Sequence, residues 1–207
     1  MTGEPHPRPG VDRDAGPEGT PRLFLSIPPP PALLARIVAV QEGLAAAGWT
    51  LRLSEPQDLH LTLHFLGATP ARLVDDLRRE IGALCHARRA FDLGAGGLGC
   101  FPDDERPRVV WLGVRDPALK LAELFQASRR LLNAYRLFEL PDGLVPHLSL
   151  ARVSRLSAAW DPGLLRALAP QWADLGDYPV ERVQLMRSRA GIKDGPRYEV
   201  LADLTLK

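Results

Sequence analysis

Two cysteines are too few for a disulfide framework or a four-cysteine zinc site, so Cys85 and Cys100 read as reduced core residues. An excess of one charge is also missing. Lys and Arg total 26 against 25 Asp and Glu. That balance excludes the broad basic field behind strong nonspecific nucleic-acid binding, and any RNA contact has to be local. No run approaches the roughly 20 apolar residues of a membrane helix. Residues 1–21 carry no apolar signal-peptide core. A cytoplasmic protein is the expectation.

Residues 1–21 are dense in Pro, Gly and charged residues, and this composition predicts a disordered tail in which His6 is merely solvated. The remainder, 22–207, is 186 residues within a chain of 45% hydrophobic content. That length supports one domain with a real core.

Leu23 to Ile27 is a short apolar run stopped by four prolines, which suits a strand. Leu33, Leu34, Ile37, Val40 and Leu44 recur at helical spacing before Gly48. A short strand over 51–53 and a clear one over 59–66 follow. A second helix opens at Pro70 and carries Leu73, Leu77, Ile81 and Leu84. Residues 91–98 and 108–114 read as strands around a turn-rich loop. A third helix spans 118–135, with Arg129 and Arg130 on a solvated face. Then come a strand over 147–153, a short helix near 164–168, and strands over 180–186 and 198–206. The mixture predicts an α+β fold with mostly antiparallel sheets and flanking helices.

Within that order one unit occurs twice. His60-Leu61-Thr62-Leu63 and His147-Leu148-Ser149-Leu150 both read His, apolar, hydroxyl, Leu, and the histidines lie 87 positions apart. The duplication predicts two lobes about a pseudo-two-fold axis, with a central cleft receiving both strands. Period-two alternation puts His60, Thr62 and His64 on one face and Leu61, Leu63 and Phe65 on the other. By the same parity His147 and Ser149 share a face and Arg152 lies opposite, where an ion pair at the core edge rivals phosphate binding. His64 reads as a cleft-wall residue. His86 reads as a helix C-terminus, where positive charge is favoured.

Two imidazoles and two hydroxyls suit in-line displacement at phosphorus. Acid and base must flank the phosphorus, each within roughly 2.6–3.2 Å of its own oxygen. Histidine, with an ordinary pKa of about 6.5, supplies both forms near neutrality. The hydroxyls of Thr62 and Ser149 would hold the non-bridging oxygens. No metal is needed, and no third or fourth ligand has zinc-site spacing. Phe24, Phe101, Trp111 and Tyr198 are candidates to stack on a base.

These segments, together with Arg22-Leu23-Phe24, Phe65-Leu66-Gly67, Gly99 to Pro102, Arg108 to Gly113 and the region from Ser188 to Tyr198, make the chain resemble the 2H phosphoesterases. Among them it is most similar to the bacterial and archaeal RNA 2′,3′-cyclic phosphodiesterases, also called 2′-5′ RNA ligases. The resemblance implies metal-independent, cofactor-free hydrolysis of an RNA terminal 2′,3′-cyclic phosphate to a 2′-phosphomonoester. It implies His60 as acid and His147 as base, with Thr62, Ser149 and Arg152 binding substrate. Ser149 departs from the commoner threonine but keeps the hydroxyl. The implied partners are RNA 3′ ends, tRNA fragments among them, or small cyclic nucleotides, met by a monomer. Alternatives are action on cyclic nucleotides or 2′-5′ linkages, ligation through the same histidines, and a noncatalytic RNA-end binding module.

Overall fold

The computed structural model describes residues 20–154, 160–189 and 197–207. The expected tail therefore lies outside the described residues, apart from Thr20 and Pro21. The ordered chain opens with β1 (Arg22–Ile27), which the proline run ends before helix α1 (Pro31–Ala46). Proline suits the first helical turn, where its missing N–H costs nothing. β2 (Leu51–Leu53) and β3 (Leu61–Ala68) follow, then α2 (Val74–His86). β4 (Phe91–Phe101), β5 (Val109–Arg115), α3 (Lys120–Asn133) and β6 (His147–Val153) make the middle. The chain closes with α4 (Pro162–Leu168), β7 (Asp177–Val180), β8 (Arg182–Ser188) and β9 (Tyr198–Thr205).

The run expected as one strand over 180–186 is instead divided at Glu181. β7 pairs with β4 and β8 pairs with β1. The chain crosses from one half of the sheet to the other at that exposed residue, which a local apolar pattern does not register.

Nine strands form one sheet in the order β7-β4-β5-β6-β3-β1-β8-β9, with β2 joined to β6, and every pairing is antiparallel. The order is symmetric about the β6–β3 junction. On one side α1 lies between β1 and β3 in the chain; on the other α3 lies between β5 and β6. Both linked strand pairs are adjacent and antiparallel. This is the duplicated two-lobed α+β arrangement, its halves meeting at the pair Leu61↔Leu148.

The helices pack across the junction, α1 against β6 and α3 against β3. Leu33, Ile37, Val40 and Leu44 of α1 and Leu121, Leu124 and Leu132 of α3 join one core with Leu61, Leu148 and Leu150. Each fully buried leucine contributes about 1.5–3 kcal/mol, so both histidine segments are anchored through their leucine faces. Cys85 and Cys100 are free thiols. α2 ends at His86, as the sequence predicts. Arg129 is not simply solvated, because its guanidinium pairs with the Asp142 carboxylate. Among the described residues no helix is long and apolar enough to cross a membrane.

Candidate active site

The junction pair Leu61↔Leu148 sets the geometry. In an antiparallel ladder the flanking residues oppose one another, so His60 faces Ser149 and Thr62 faces His147. Directly opposed side chains have Cβ atoms about 4.5–5.5 Å apart, and diagonal ones about 7–8 Å. The four residues thus form a square with the imidazoles on one diagonal and the hydroxyls on the other. All four are partly exposed, whereas Leu61, Leu63, Leu148 and Leu150 are buried on the reverse face.

The two imidazoles are held alike. Nδ1 of His60 lies 2.7 Å from the Asp58 carbonyl, and Nδ1 of His147 lies 2.7 Å from the Val145 carbonyl. A carbonyl only accepts, so each Nδ1 carries the proton and donates it. Nε2 is then the nitrogen left for proton exchange. Asp58 is fixed in turn by the Arg197 backbone N–H, which donates to its carboxylate at 3.2 Å.

Aromatic rings flank each imidazole. His60 packs 4.9 Å from Phe24 and 5.0 Å from Tyr198, centroid to centroid. His147 lies 4.9 Å from Phe101 and 6.1 Å from Trp111. The four aromatics named from the sequence all line the site. Trp111 lies across Gly99, where a Cβ would fall 2.2 Å from the indole Cζ2; glycine is required there by close approach rather than by backbone angle.

Apolar surroundings disfavour the charged form. Burial pushes the His60 pKa down to about 4; the hydrogen bond to Asp58 opposes the shift, and the charge of His147 adds to it. Burial lowers His147 as well, opposed by its bond to Val145. That His147 acts on His60 electrostatically accords with the shared face.

The parity expected past the two hydroxyls does not hold. β1 and β3 pair Ser26↔Thr62 and then Leu25↔His64, leaving Leu63 as an extra residue. β5 and β6 pair Trp111↔Ser149 and then Val110↔Ala151, leaving Leu150 as an extra residue. Such a β-bulge reverses the facing of the residues that follow, in β3 as far as the next register shift, at Leu66. The two bulges occupy corresponding positions in the two lobes.

His64 is consequently not a cleft-wall residue. It is buried at 1% exposure and stacks on Phe125 at 4.5 Å. Its Nε2 lies 2.9 Å from Ser128 Oγ, and that hydroxyl itself donates to the Leu124 carbonyl at 2.8 Å. Phe65, expected in the core, is 67% exposed and opposes Phe24 across β1. Arg152, expected opposite His147, turns to the same face as His147 and Ser149, because it pairs with Val109, two residues from Trp111 on unbulged β5. The structure therefore brings His60, His147, Thr62, Ser149 and Arg152 to one face. Phe65 is the addition that sequence reasoning missed, since Leu63-His64-Phe65 alternates as an ordinary strand would.

Among the described residues no group of three or more His, Cys, Asp or Glu side chains converges as a metal site requires.

Comparison with known proteins identifies the family. The family model described as LigT like Phosphoesterase matches residues 27–111. The RNA 2′,3′-cyclic phosphodiesterase of Thermus thermophilus is 31% identical over 192 residues, covering 90% of each chain. The RNA 2′,3′-cyclic phosphodiesterase of Aquifex aeolicus is 30% identical over 156 residues, 73% of this chain and 80% of its own. A crystal structure of a Thermus thermophilus protein superposes with TM-score 0.72 at 28% identity, covering 89% of this chain and 97% of that one. E. coli LigT complexed with 3′-AMP superposes with TM-score 0.69 at 25% identity, covering 90% and 98%. With its fold, paired histidine strands and these relatives, the chain belongs to the LigT-like phosphoesterases of the 2H superfamily.

Proposed function

We propose that this chain hydrolyses the terminal 2′,3′-cyclic phosphate of RNA to a 2′-phosphomonoester, without a metal ion. The supporting observation is the diagonal pair of imidazoles, each locked through Nδ1 on a carbonyl two residues upstream and each flanked by a hydroxyl strand neighbour. The relatives named RNA 2′,3′-cyclic phosphodiesterase support the substrate class.

Water attacks the phosphorus and gives its proton to Nε2 of His147 while its oxygen bonds to phosphorus. The bond from phosphorus to O3′ breaks, and O3′ takes the proton of Nε2 on a cationic His60. One water is consumed, and the product is a 2′-phosphate beside a free 3′-hydroxyl. The two histidines then exchange protons with solvent. Thr62 and Ser149 donate to the non-bridging oxygens, and Arg152 supplies positive charge on the same face. Phe65 is available to stack on a base, a contact of about 1–3 kcal/mol.

The test is an oligonucleotide ending in a 2′,3′-cyclic phosphate, incubated with the protein in EDTA. Conversion to the 2′-phosphate is the expected result. Binding without turnover would reduce the protein to an RNA-end binding module, and turnover abolished by EDTA would overturn metal independence.

A further inference from the structure

We propose that Arg52 and Arg152 form a subsite for the RNA backbone phosphate that precedes the terminal cyclic phosphate, an inference that rests on the hydrolysis proposed above. Arg52 is the middle residue of the three-residue strand β2 and pairs directly with Arg152 of β6. Directly opposed residues of an antiparallel pair share a face. Arg52 therefore stands on the face that Arg152, Ser149 and His147 occupy. Both arginines are exposed, and among the described residues neither side chain has a hydrogen bond or ion pair.

Like charges directly opposed across strands are destabilising. Here nothing acidic offsets the repulsion among the described partners, whereas arginines elsewhere in the fold do meet carboxylates, such as Arg115 with Asp174 and Arg166 with Asp104. An anion seated between the two guanidinium groups would relieve it, and their planar forks fit phosphate oxygens two at a time. The location suits a second phosphate. The Arg52–Arg152 row follows the His60–Ser149 row by about two residue steps of β6, roughly 7 Å at 3.3 Å per residue. The departing O3′ belongs to the ribose, so the rest of the RNA extends from the His60 side of the phosphorus. The arginine row lies on that side of the square. A mononucleotide has no phosphate to place there; a dinucleotide has one.

The experiment compares a cyclic-phosphate dinucleotide with a 2′,3′-cyclic mononucleotide, using the full chain. For the unaltered protein, log kcat/KM against log salt should fall more steeply for the dinucleotide, by about 0.7 for one added phosphate contact. Arg52→Gln should lower the dinucleotide-to-mononucleotide ratio of kcat/KM about tenfold and erase the difference in salt slope. Equal salt slopes in the unaltered protein overturn the subsite without any variant. So does a substitution that leaves the ratio intact or reduces both substrates in proportion. Turnover of neither substrate by the unaltered protein overturns the hydrolytic proposal itself, and the subsite with it.

Discussion

In the proposed reaction His60 donates a proton, a role that burial handicaps, since burial lowers its pKa to about 4. In the free protein at neutral pH burial favours the neutral form of both His60 and His147, which suits the proposed base and opposes the proposed acid. A bound phosphate anion raises both pKa values, because an adjacent opposite charge favours the cation. The profile of kcat/KM, which reports the free protein, should peak on the acid side of pH 6.5, and that of kcat at higher pH. Coincident profiles would refute this coupling. His60→Ala and His147→Ala should each lower kcat/KM by about 10²–10⁴ with the fold intact by circular dichroism, since both rings are partly exposed. His64 is a histidine of a different kind. Its Nε2–H is committed to Ser128, and its Nδ1 is buried without a partner among the described residues, so a second proton has nowhere to bond. Its pKa is lowered to about 4 by burial. Between pH 4 and 6.5 the unfolded chain then binds more protons than the folded one, so stability is complete above pH 6.5 and falls as pH drops towards 4. The loss from His64 is about 3 kcal/mol across that window. Urea midpoints at pH 7 and pH 4.5 should differ less in His64→Gln than in the unaltered protein; an unchanged difference would clear His64 of the effect.

Between elements, the paired bulges decide what the site contains. Leu150, the extra residue of β6, has its carbonyl bonded by the Ser54 N–H and by Gln41 Nε2 of α1, which also reaches the Ser54 carbonyl. In the other lobe Ser128 of α3 meets His64, the residue after the extra Leu63. Each helix thus braces the bulge of the strand it packs on across the junction. Gln41→Leu should cost about 0.5–1.5 kcal/mol in chemical denaturation, because the Leu150 carbonyl keeps the Ser54 N–H but loses its second donor. A cost near zero would show that the bulge needs no brace. The bulges also mark where sequence reasoning reached its limit. His60, Thr62, His147 and Ser149 precede them, and alternation placed those side chains correctly. His64, Phe65 and Arg152 follow them, and alternation misplaced all three. An inserted residue is selected by strand twist and by groups such as Gln41, 109 positions from Leu150 in the chain, and no local pattern encodes that.

At the scale of the molecule, the duplication was legible because each lobe carries its own copy of the His-apolar-hydroxyl-Leu unit, at His60 and at His147, within a few consecutive residues. Glu181 was not, because the crossing from β7 to β8 depends on which distant edges remain unpaired. The same scale governs how much RNA the protein can feel. Its formal net charge is +1, so attraction to a polyanion comes from the cations on the cleft face and fades within about one Debye length, near 8 Å at physiological salt. Lengthening a cyclic-phosphate substrate from one nucleotide to two brings a new phosphate within that range. Lengthening it from four to twelve adds charge where no basic field exists. A plot of kcat/KM against substrate length should therefore rise early and then level off. Its salt slope should steepen by about 0.7 from one nucleotide to two and then hold steady, never passing about −2, the value for three neutralised phosphates at about 0.7 each. A continuing rise to twelve nucleotides, with a slope that steepens in step, would mean that a longer basic track binds the RNA and that the balanced charge of the chain misleads.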